Sequence, residues 1–110
     1  MDASAAIKAL AALAQESRLA IFRILVQIGP AGLPAGQLAD QLGIPPSSLS
    51  FHTKELLNAG LVQSRQEGRF VIYSAHIGGM NELLSYLTEN CCGGNPCTPL
   101  SQPICTLQQT

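Results

Sequence analysis

The chain has 110 residues, of which 46% are hydrophobic and 12% are charged, and its formal net charge is −1 at pH 7. This length suits one small domain with a thin core, and the small net charge argues against a protein that holds nucleic acid by bulk electrostatics. Charged residues interrupt each apolar stretch before it reaches the roughly 18 to 20 residues of a transmembrane helix, and no basic leader opens the chain, so we expect a cytoplasmic protein with reduced thiols.

The first part of the chain has the pattern of three helices. Apolar residues at helical spacing among alanines predict a first helix over residues 5–14. A second helix is expected from a Ser17 cap to the Gly-Pro pair at residues 29–30. A short third helix is expected between Pro34, which suits a helix start, and Gly43, which suits a helix end.

A fourth helix, a hairpin and a fifth helix are predicted next. Ser47 or Ser48 opens the fourth helix, and Gly60 closes it. Two strand-like runs, "LVQSRQ" and "RFVIYS", follow on either side of residues 67–68, whose Glu-Gly sequence is typical of a tight turn. We therefore expect a mainly α protein with a small β-hairpin, namely a winged helix-turn-helix domain over residues 1–90.

The fifth helix carries a narrow apolar seam. Met80, Leu84, Leu87 and Cys91 lie on one side of it at helical spacing, with Leu83 beside them. A terminal helix with a long apolar stripe on so small a domain predicts a second copy of the chain as partner. The remaining residues, 91–110, form a cysteine-containing tail punctuated by glycine and proline.

The fourth helix is predicted to contact DNA. A helix that enters the major groove needs hydrogen-bonding groups near its N-terminus, where the helix dipole also favours phosphate. Serine hydroxyls, histidine and lysine donors and a phenylalanine ring that can meet a thymine methyl group are all present, and two arginines flank the hairpin tip, where they suit phosphate or minor-groove contacts. The expected DNA-binding residues are Ser47, Ser48, Ser50, Phe51, His52, Lys54, Arg65 and Arg69.

Each of these residues alone also has a plainer interpretation. Serines cap helices, and arginines on a hairpin keep an exposed edge soluble. DNA binding is favoured because the residues share one face and occupy the right places in the order helix, turn, helix, hairpin. With few cations available, we expect few phosphate contacts per subunit, and two subunits on a palindromic double-stranded site would compensate.

Three stretches resemble the ArsR/SmtB family of metalloregulatory repressors. "ALAQESRLAIFRIL" is similar to the start of the family's second helix, "SSLSFHTKELLNAGLV" to its recognition helix, with the S-x-H element at Ser50 to His52, and "RQEGRFVIYS" to its wing. The resemblance covers residues 7–90. It implies a homodimer joined through the first and last helices, bound to operator DNA when free of ligand and released on binding a metal or metalloid.

Three inducer sites known in this family are absent from the sequence. The cysteine pair that many members carry before the recognition helix corresponds here to Pro34 and Gly36. The zinc site of other members needs Asp-x-His where this chain has Ile77 and Gly79. A site built from N-terminal cysteines is excluded because the first cysteine is Cys91.

The four cysteines near the end of the chain are the remaining candidates. Trivalent arsenic or antimony is satisfied by three thiolates, and Gly93-Gly94 lets the chain turn back so that Cys97 approaches Cys91 and Cys92. These three are the expected ligands, and arsenite is the expected inducer, with antimonite and methylarsenite as alternatives. The resemblance agrees, since some members use a C-terminal cysteine pair plus a third cysteine, although Cys105 is a departure.

Other interpretations of the cysteines stay open. All four together could hold zinc, although the C-C-x4-C spacing lacks the C-x2-C element that zinc sites commonly use. An oxidant could instead join Cys97 to Cys91 or Cys92 in a disulfide switch, and Cys91 alone fits an apolar seam residue. His76 is expected to be a surface or capping residue.

An enzyme and a metal-buffering protein are the two alternatives to a DNA-binding sensor. An enzyme is not expected, because no metalloprotease, phosphate-loop or nucleophile-elbow motif occurs. A metal-buffering protein on the same scaffold would bind the ion without binding DNA.

Overall fold

The computed structural model describes residues 1–90 and Gly93, and these residues form a helical domain with a small antiparallel sheet. The predicted domain of residues 1–90 is thus described, whereas the predicted tail, apart from Gly93, lies outside the described residues. The elements in chain order are α1 (Ala3–Leu13), α2 (Glu16–Ile28), β1 (Leu33–Pro34), α3 (Ala35–Leu42), α4 (Pro46–Asn58), β2 (Val62–Glu67), β3 (Phe70–Ala75) and α5 (Ile77–Leu87).

Helix α1 packs through its alanines. The side chain of Asp2 accepts a hydrogen bond from the Ala5 N–H and caps the helix. Ala6, Ala9 and Ala12 are buried, and such small side chains let α1 approach α2 and α4 closely. The larger apolar residues of α1 therefore lie on other faces of the helix.

Helix α2 supplies the centre of the core with Ile21, Phe22 and Leu25. The predicted Ser17 cap is wrong. Gln15 occupies the cap position instead, and its side-chain oxygen accepts from the Arg18 N–H at 2.9 Å. Ser17 lies inside the first turn because the helix starts at Glu16, one residue before it.

Helices α3 and α4 form the helix-turn-helix. Gly43 ends α3 in the left-handed conformation, with φ 65°, as its sequence position predicted. The predicted start of α4 at Ser47 or Ser48 is wrong, because the helix begins at Pro46 and Pro45 is the cap residue. Proline suits a first helical turn, where its missing N–H would have no helical acceptor, so both serines lie within that first turn.

The sheet has the order β1-β3-β2. The hairpin was predicted, but its turn lies one residue later than expected, at residues 68–69, where Gly68 has φ 61°. The short strand β1 was not predicted. It pairs with β3 through Leu33 opposite Tyr73, and it ties the loop before α3 to the base of the hairpin.

Helix α5 contacts α1 and completes the domain. Leu83 is its buried leucine, whereas Met80 and Leu84 are half-buried and Leu87 is exposed. The predicted seam therefore faces largely away from the core of its own chain. Across the described residues, no helix has the length and apolar character needed to cross a membrane.

Candidate nucleic-acid interface

One side of α4 is polar and exposed to solvent. Leu49, Thr53 and Leu56 are buried and fasten the opposite side to the core. The Thr53 hydroxyl is satisfied inside the helix, where it donates to the carbonyl oxygen of Leu49 at 3.0 Å. The α4 residues predicted to contact DNA divide into the exposed Ser47, Ser50, Phe51 and Lys54 and the half-buried Ser48 and His52.

Phe51 is the large apolar side chain of this surface. It is 58% exposed, and its ring meets the His52 ring edge-on at a centroid distance of 5.5 Å. An exposed phenylalanine contributes little hydrophobic stabilisation to the fold, and its ring is accessible to another molecule. This agrees with the contact to a thymine methyl group predicted for it.

His52 is half-buried, and one of its ring nitrogens faces helix α2. Its Nδ1 lies 3.5 Å from Nη1 of Arg18 in α2, and the Nε of Arg18 donates to the carbonyl oxygen of Ala12 at 2.7 Å. Burial and the positive charge of Arg18 both lower the pKa of His52 from its ordinary value of 6.5. Both effects favour the neutral imidazole, and Arg18 joins the end of α1 to α4.

The Arg65 side chain is exposed but is held by hydrogen bonds to its own chain. Its Nη2 donates to the carbonyl oxygen of Ala31 at 2.7 Å, its Nη1 to that of Pro30 at 3.4 Å, and its Nε to the Glu67 carboxylate. The guanidinium thus fixes the hairpin to the loop that precedes β1, and Glu67 offsets its charge. Its role as a phosphate contact stays a prediction, for which two of its five N–H donors remain.

The tip of the hairpin combines a cation with an apolar ring. Arg69 occupies the turn and is exposed, and Phe70 beside it is 61% exposed. Among residues 1–90, Arg69 forms no ion pair. Sequence reasoning identified Arg69 but not Phe70 or Arg18. Phe70 could have been noticed as a large apolar residue at the tip of a predicted turn, whereas nothing in the sequence showed that Arg18 reaches α4.

Helices α1 and α5 expose large apolar side chains. Ile7 is 66% exposed and Leu10 is 42% exposed on α1, and Leu87 is 52% exposed on α5. Since α1 and α5 touch, these exposed apolar residues lie on two helices that contact each other. A soluble domain of this size gains from covering such a patch.

The start of α5 is docked on the end of α4. Nδ1 of His76 donates to the carbonyl oxygen of Gly60 at 2.9 Å, and the His76 backbone N–H donates to that of Leu61 at 2.9 Å. His76 is the cap residue of α5 and is exposed, in agreement with its predicted surface or capping role. Gly79 is packed so tightly that a Cβ atom would overlap the Gly60 carbonyl.

The predicted metal ligands Cys91, Cys92 and Cys97, together with Cys105, lie outside the described residues. Within the part of the chain that the structure describes, no group of three histidine, cysteine or acidic side chains is placed to hold a metal ion.

The fold and this surface together define a class of protein. A helix-turn-helix whose second helix shows a polar outer side, followed directly by an exposed hairpin, is the arrangement of winged helix-turn-helix regulators. A family model described as a helix-turn-helix domain matches residues 13–65, which run from the end of α1 into β2.

Similar proteins identify the family. The HTH-type transcriptional regulator NmtR of Mycobacterium tuberculosis is 37% identical over 75 residues, and the match spans 68% of this chain and 60% of that protein's length. The structure of an ArsR-like transcriptional regulator from Rhodococcus sp. RHA1 has a TM-score of 0.68 and 30% identity, with 76% of each chain covered. HlyU from Vibrio cholerae has a TM-score of 0.62 and 34% identity, with 79% of this chain and 97% of that chain covered.

The chain belongs to the ArsR/SmtB family of winged helix-turn-helix transcriptional regulators. NmtR and the Rhodococcus protein are both named as transcriptional regulators.

Proposed function

We propose that this chain is a repressor that binds double-stranded operator DNA as a homodimer and leaves it when trivalent arsenic binds Cys91, Cys92 and Cys97. Antimony is an alternative inducer of the same chemistry. The observation that carries the proposal is the exposed polar side of α4 beside the wing, in a chain of this family whose cysteines all follow α5.

DNA recognition is assigned to α4 and the wing tip. Ser47, Ser50 and Lys54 are exposed on α4, so they can donate to base edges or phosphates in a major groove. Arg69 would reach the adjoining backbone or minor groove from the wing. Lys54 and Arg69 are the exposed cations of this surface that form no ion pair among residues 1–90, and they limit the phosphate contacts to a few per subunit.

Dimerisation is assigned to the apolar surface of α1 and α5. Ile7, Leu10 and Leu87 are the residues that a second copy would cover. A homodimer of known structure, the winged helix-turn-helix domain Mb0332 from Mycobacterium bovis, has the same fold. Two copies give two recognition helices at a fixed spacing, and that arrangement suits a palindromic operator.

The inducer is assigned to the cysteines by their chemistry. Three thiolates satisfy the pyramidal geometry of trivalent arsenic or antimony. The sequence places Cys91 four residues after the end of α5 at Leu87. Coordination would therefore act on the chain where it leaves the proposed dimer helix.

The contact between α5 and α4 supports a mechanical link between ligand and DNA. His76 and Gly79 hold the start of α5 against the turn directly after the proposed recognition helix, so a displaced α5 would change the orientation of α4. Release by a factor of 100 needs only about 2.7 kcal/mol of coupling, which thiolate coordination can supply. A rotation that misplaces one recognition helix removes the bivalent advantage of the dimer.

Two titrations test the proposal. The reduced protein is titrated onto DNA from upstream of its own gene, and we expect a shifted complex; a metal-buffering protein would shift no DNA at any salt concentration. The complex is then titrated with arsenite, antimonite and methylarsenite, using proteins in which Cys97 or Cys105 is replaced by serine. Release by arsenite should be lost in Cys97→Ser and kept in Cys105→Ser. Equal release from both variants would contradict the assigned ligand set.

A thiol-redox repressor is the second candidate. It is favoured by the likeness to a structure described as reduced HlyU from Vibrio cholerae, which has a TM-score of 0.61 and 30% identity. In this alternative an oxidant joins Cys97 to Cys91 or Cys92 with loss of two electrons and two protons. Release of DNA by a mild oxidant, with no response to arsenite under reducing conditions, would select it.

A further inference from the structure

Arg18 occupies the junction of three helices. It lies in the first turn of α2, its backbone N–H is held by the Gln15 side chain, and its Nε donates to the carbonyl oxygen of Ala12 at the end of α1. The first contact holds the backbone of Arg18, and the second fixes its guanidinium before it meets α4. Its Nη1 lies 3.5 Å from Nδ1 of His52.

The chemistry of this pair selects one form of the imidazole. A guanidinium is always charged and can only donate hydrogen bonds, so Nδ1 of His52 must accept. An imidazolium has no acceptor nitrogen, so the ring facing Arg18 is neutral and carries its proton on Nε2. The lowered pKa of His52, caused by burial and by Arg18, agrees with a neutral ring.

Among the described residues, Nδ1 of His52 contacts Arg18, and the N–H at Nε2 has no hydrogen-bond partner. The ring is half-buried and meets the exposed Phe51 ring. A neutral N–H donor therefore belongs to the side of α4 that is proposed to read DNA.

We propose that Arg18 is a positioning residue: by donating to Nδ1 it holds His52 as the Nε2–H tautomer, and His52 then donates that proton to a hydrogen-bond acceptor on DNA. The proposal rests on the DNA binding proposed above. The acceptor is an oxygen or ring nitrogen of a base edge, or a phosphate oxygen, since both offer the same chemistry to an N–H donor.

The first experiment needs no DNA and no variant. Two-bond proton–nitrogen correlation spectra of the ¹⁵N-labelled free protein at neutral pH distinguish a protonated ring nitrogen from an unprotonated one. We expect the His52 spectrum of the Nε2–H tautomer, and we expect Arg18→Met, which keeps an unbranched stem but has no donor, to show a mixture of tautomers. A Nδ1–H tautomer in the parent protein would overturn the proposal whatever the protein does with DNA.

The second experiment measures affinity for DNA from upstream of the gene and for unrelated DNA. Removing the donor in His52→Leu should weaken binding of the dimer to the upstream DNA by about tenfold for each of its two subunits, the usual effect of one lost hydrogen bond. His52→Gln, whose amide nitrogen can take the place of Nε2, should recover most of that loss, whereas His52→Asn, whose amide matches Nδ1, should not. Equal affinities of His52→Leu and the parent protein would overturn the proposal.

The two kinds of DNA distinguish the acceptor. A base-edge acceptor predicts that His52→Leu weakens binding to the upstream DNA much more than binding to unrelated DNA. A phosphate acceptor predicts an equal loss on both, and either result supports a donor at His52. Failure of the parent protein to bind any DNA would instead remove the proposed function, while the tautomer spectra would still report on the pair formed by Arg18 and His52.

Discussion

Two adjacent glycines at the start of α5 have opposite requirements. A Cβ atom on Gly79 would overlap the carbonyl oxygen of Gly60, whereas one on Gly78 would make an ordinary contact with the His76 ring at 3.4 Å. Both lie in a helix, where alanine is otherwise preferred over glycine. The position of each residue in the packing therefore decides the effect of the same substitution.

We predict that Gly79→Ala lowers the free energy of unfolding by about 1–3 kcal/mol, because the end of α4 and the start of α5 must separate. Gly78→Ala is the matched control and should raise it by about 0.5–1 kcal/mol. Urea unfolding at fixed protein concentration measures both. Equal stability of the two variants would contradict the close packing of α5 on α4.

His52 predicts a dependence of stability on pH. Its pKa is lowered in the folded chain from the ordinary 6.5, so below that pH the unfolded chain takes up a proton that the folded chain resists. The free energy of unfolding then falls as the pH drops through this range. Comparison of urea midpoints at about pH 7.5 and about pH 5.5 should show a larger loss for the parent than for His52→Gln. An identical loss in both would contradict the shift.

For single residues, the sequence predicts where a helix cap lies better than which residue forms it. The serine-rich start of α4 was expected to contain the cap, but the proline pair starts the helix one residue earlier. Gln15 replaced Ser17 as the cap of α2, because a longer side chain can also reach an N–H three residues on. The contact of Arg18 with α4 depends on how three helices meet, which local sequence does not determine.

Among the elements, the wing contains two arginines that look equivalent in the sequence but have different partners in the structure. Both are exposed, but Arg65 bonds to the carbonyl oxygens of Pro30 and Ala31 and to Glu67, whereas Arg69 forms no ion pair among residues 1–90. The first therefore positions the wing, and the second is the better candidate for phosphate contact.

We predict that the two arginines affect salt dependence differently. Arg69→Gln should reduce the slope of log affinity against log salt by about 2 for a dimer, because one phosphate contact is lost in each subunit. Arg65→Gln should weaken binding with a change in slope of less than about half that amount. Fluorescence anisotropy over a range of salt concentrations measures both slopes. A larger change for Arg65→Gln would show that it, rather than Arg69, contacts phosphate.

Most elements could be predicted because their signals are local. Alanine-rich helical spacing, Gly43 as a helix end and the glycine turn between strand-like runs each act within a few residues. Strand β1 could not be predicted, since two residues carry no periodicity and one of them is Pro34. It forms only because the hairpin offers β3 as a partner.

For the whole molecule, the division of α1 into a buried and an exposed face suggests the assembly. Its alanines fill the core of the chain, and Ile7 and Leu10 remain outside it together with Leu87 of α5. The apolar surface is thus available to a second copy without any rearrangement of the core.

We predict that Leu10→Glu converts a dimer into a monomer, because a charge in the interface would lose its hydration. Val71→Glu is the control, since Val71 is 36% exposed on the wing hairpin, and it should leave the dimer intact. Light scattering on a size-exclusion column gives the molar mass. A dimer with Leu10→Glu, or a parent protein that is monomeric, would contradict the proposed interface.

The fold could be predicted because it follows from the order of the elements, and the proposed DNA-binding surface is assigned from its place in that fold. The choice of inducer depends instead on Cys91, Cys92 and Cys97, which lie outside the described residues. Their assignment rests on thiolate chemistry and on the absence of the other cysteine and histidine patterns from the sequence.

The most direct measurement is therefore arsenite titration of the reduced protein bound to labelled DNA from upstream of its gene, followed by fluorescence anisotropy. The parent complex should dissociate, and the complex of the double variant Cys91→Ser, Cys92→Ser should form with the same affinity and stay intact. Dissociation of the double variant by arsenite, or a parent complex that no thiophilic ion disturbs, would contradict the account.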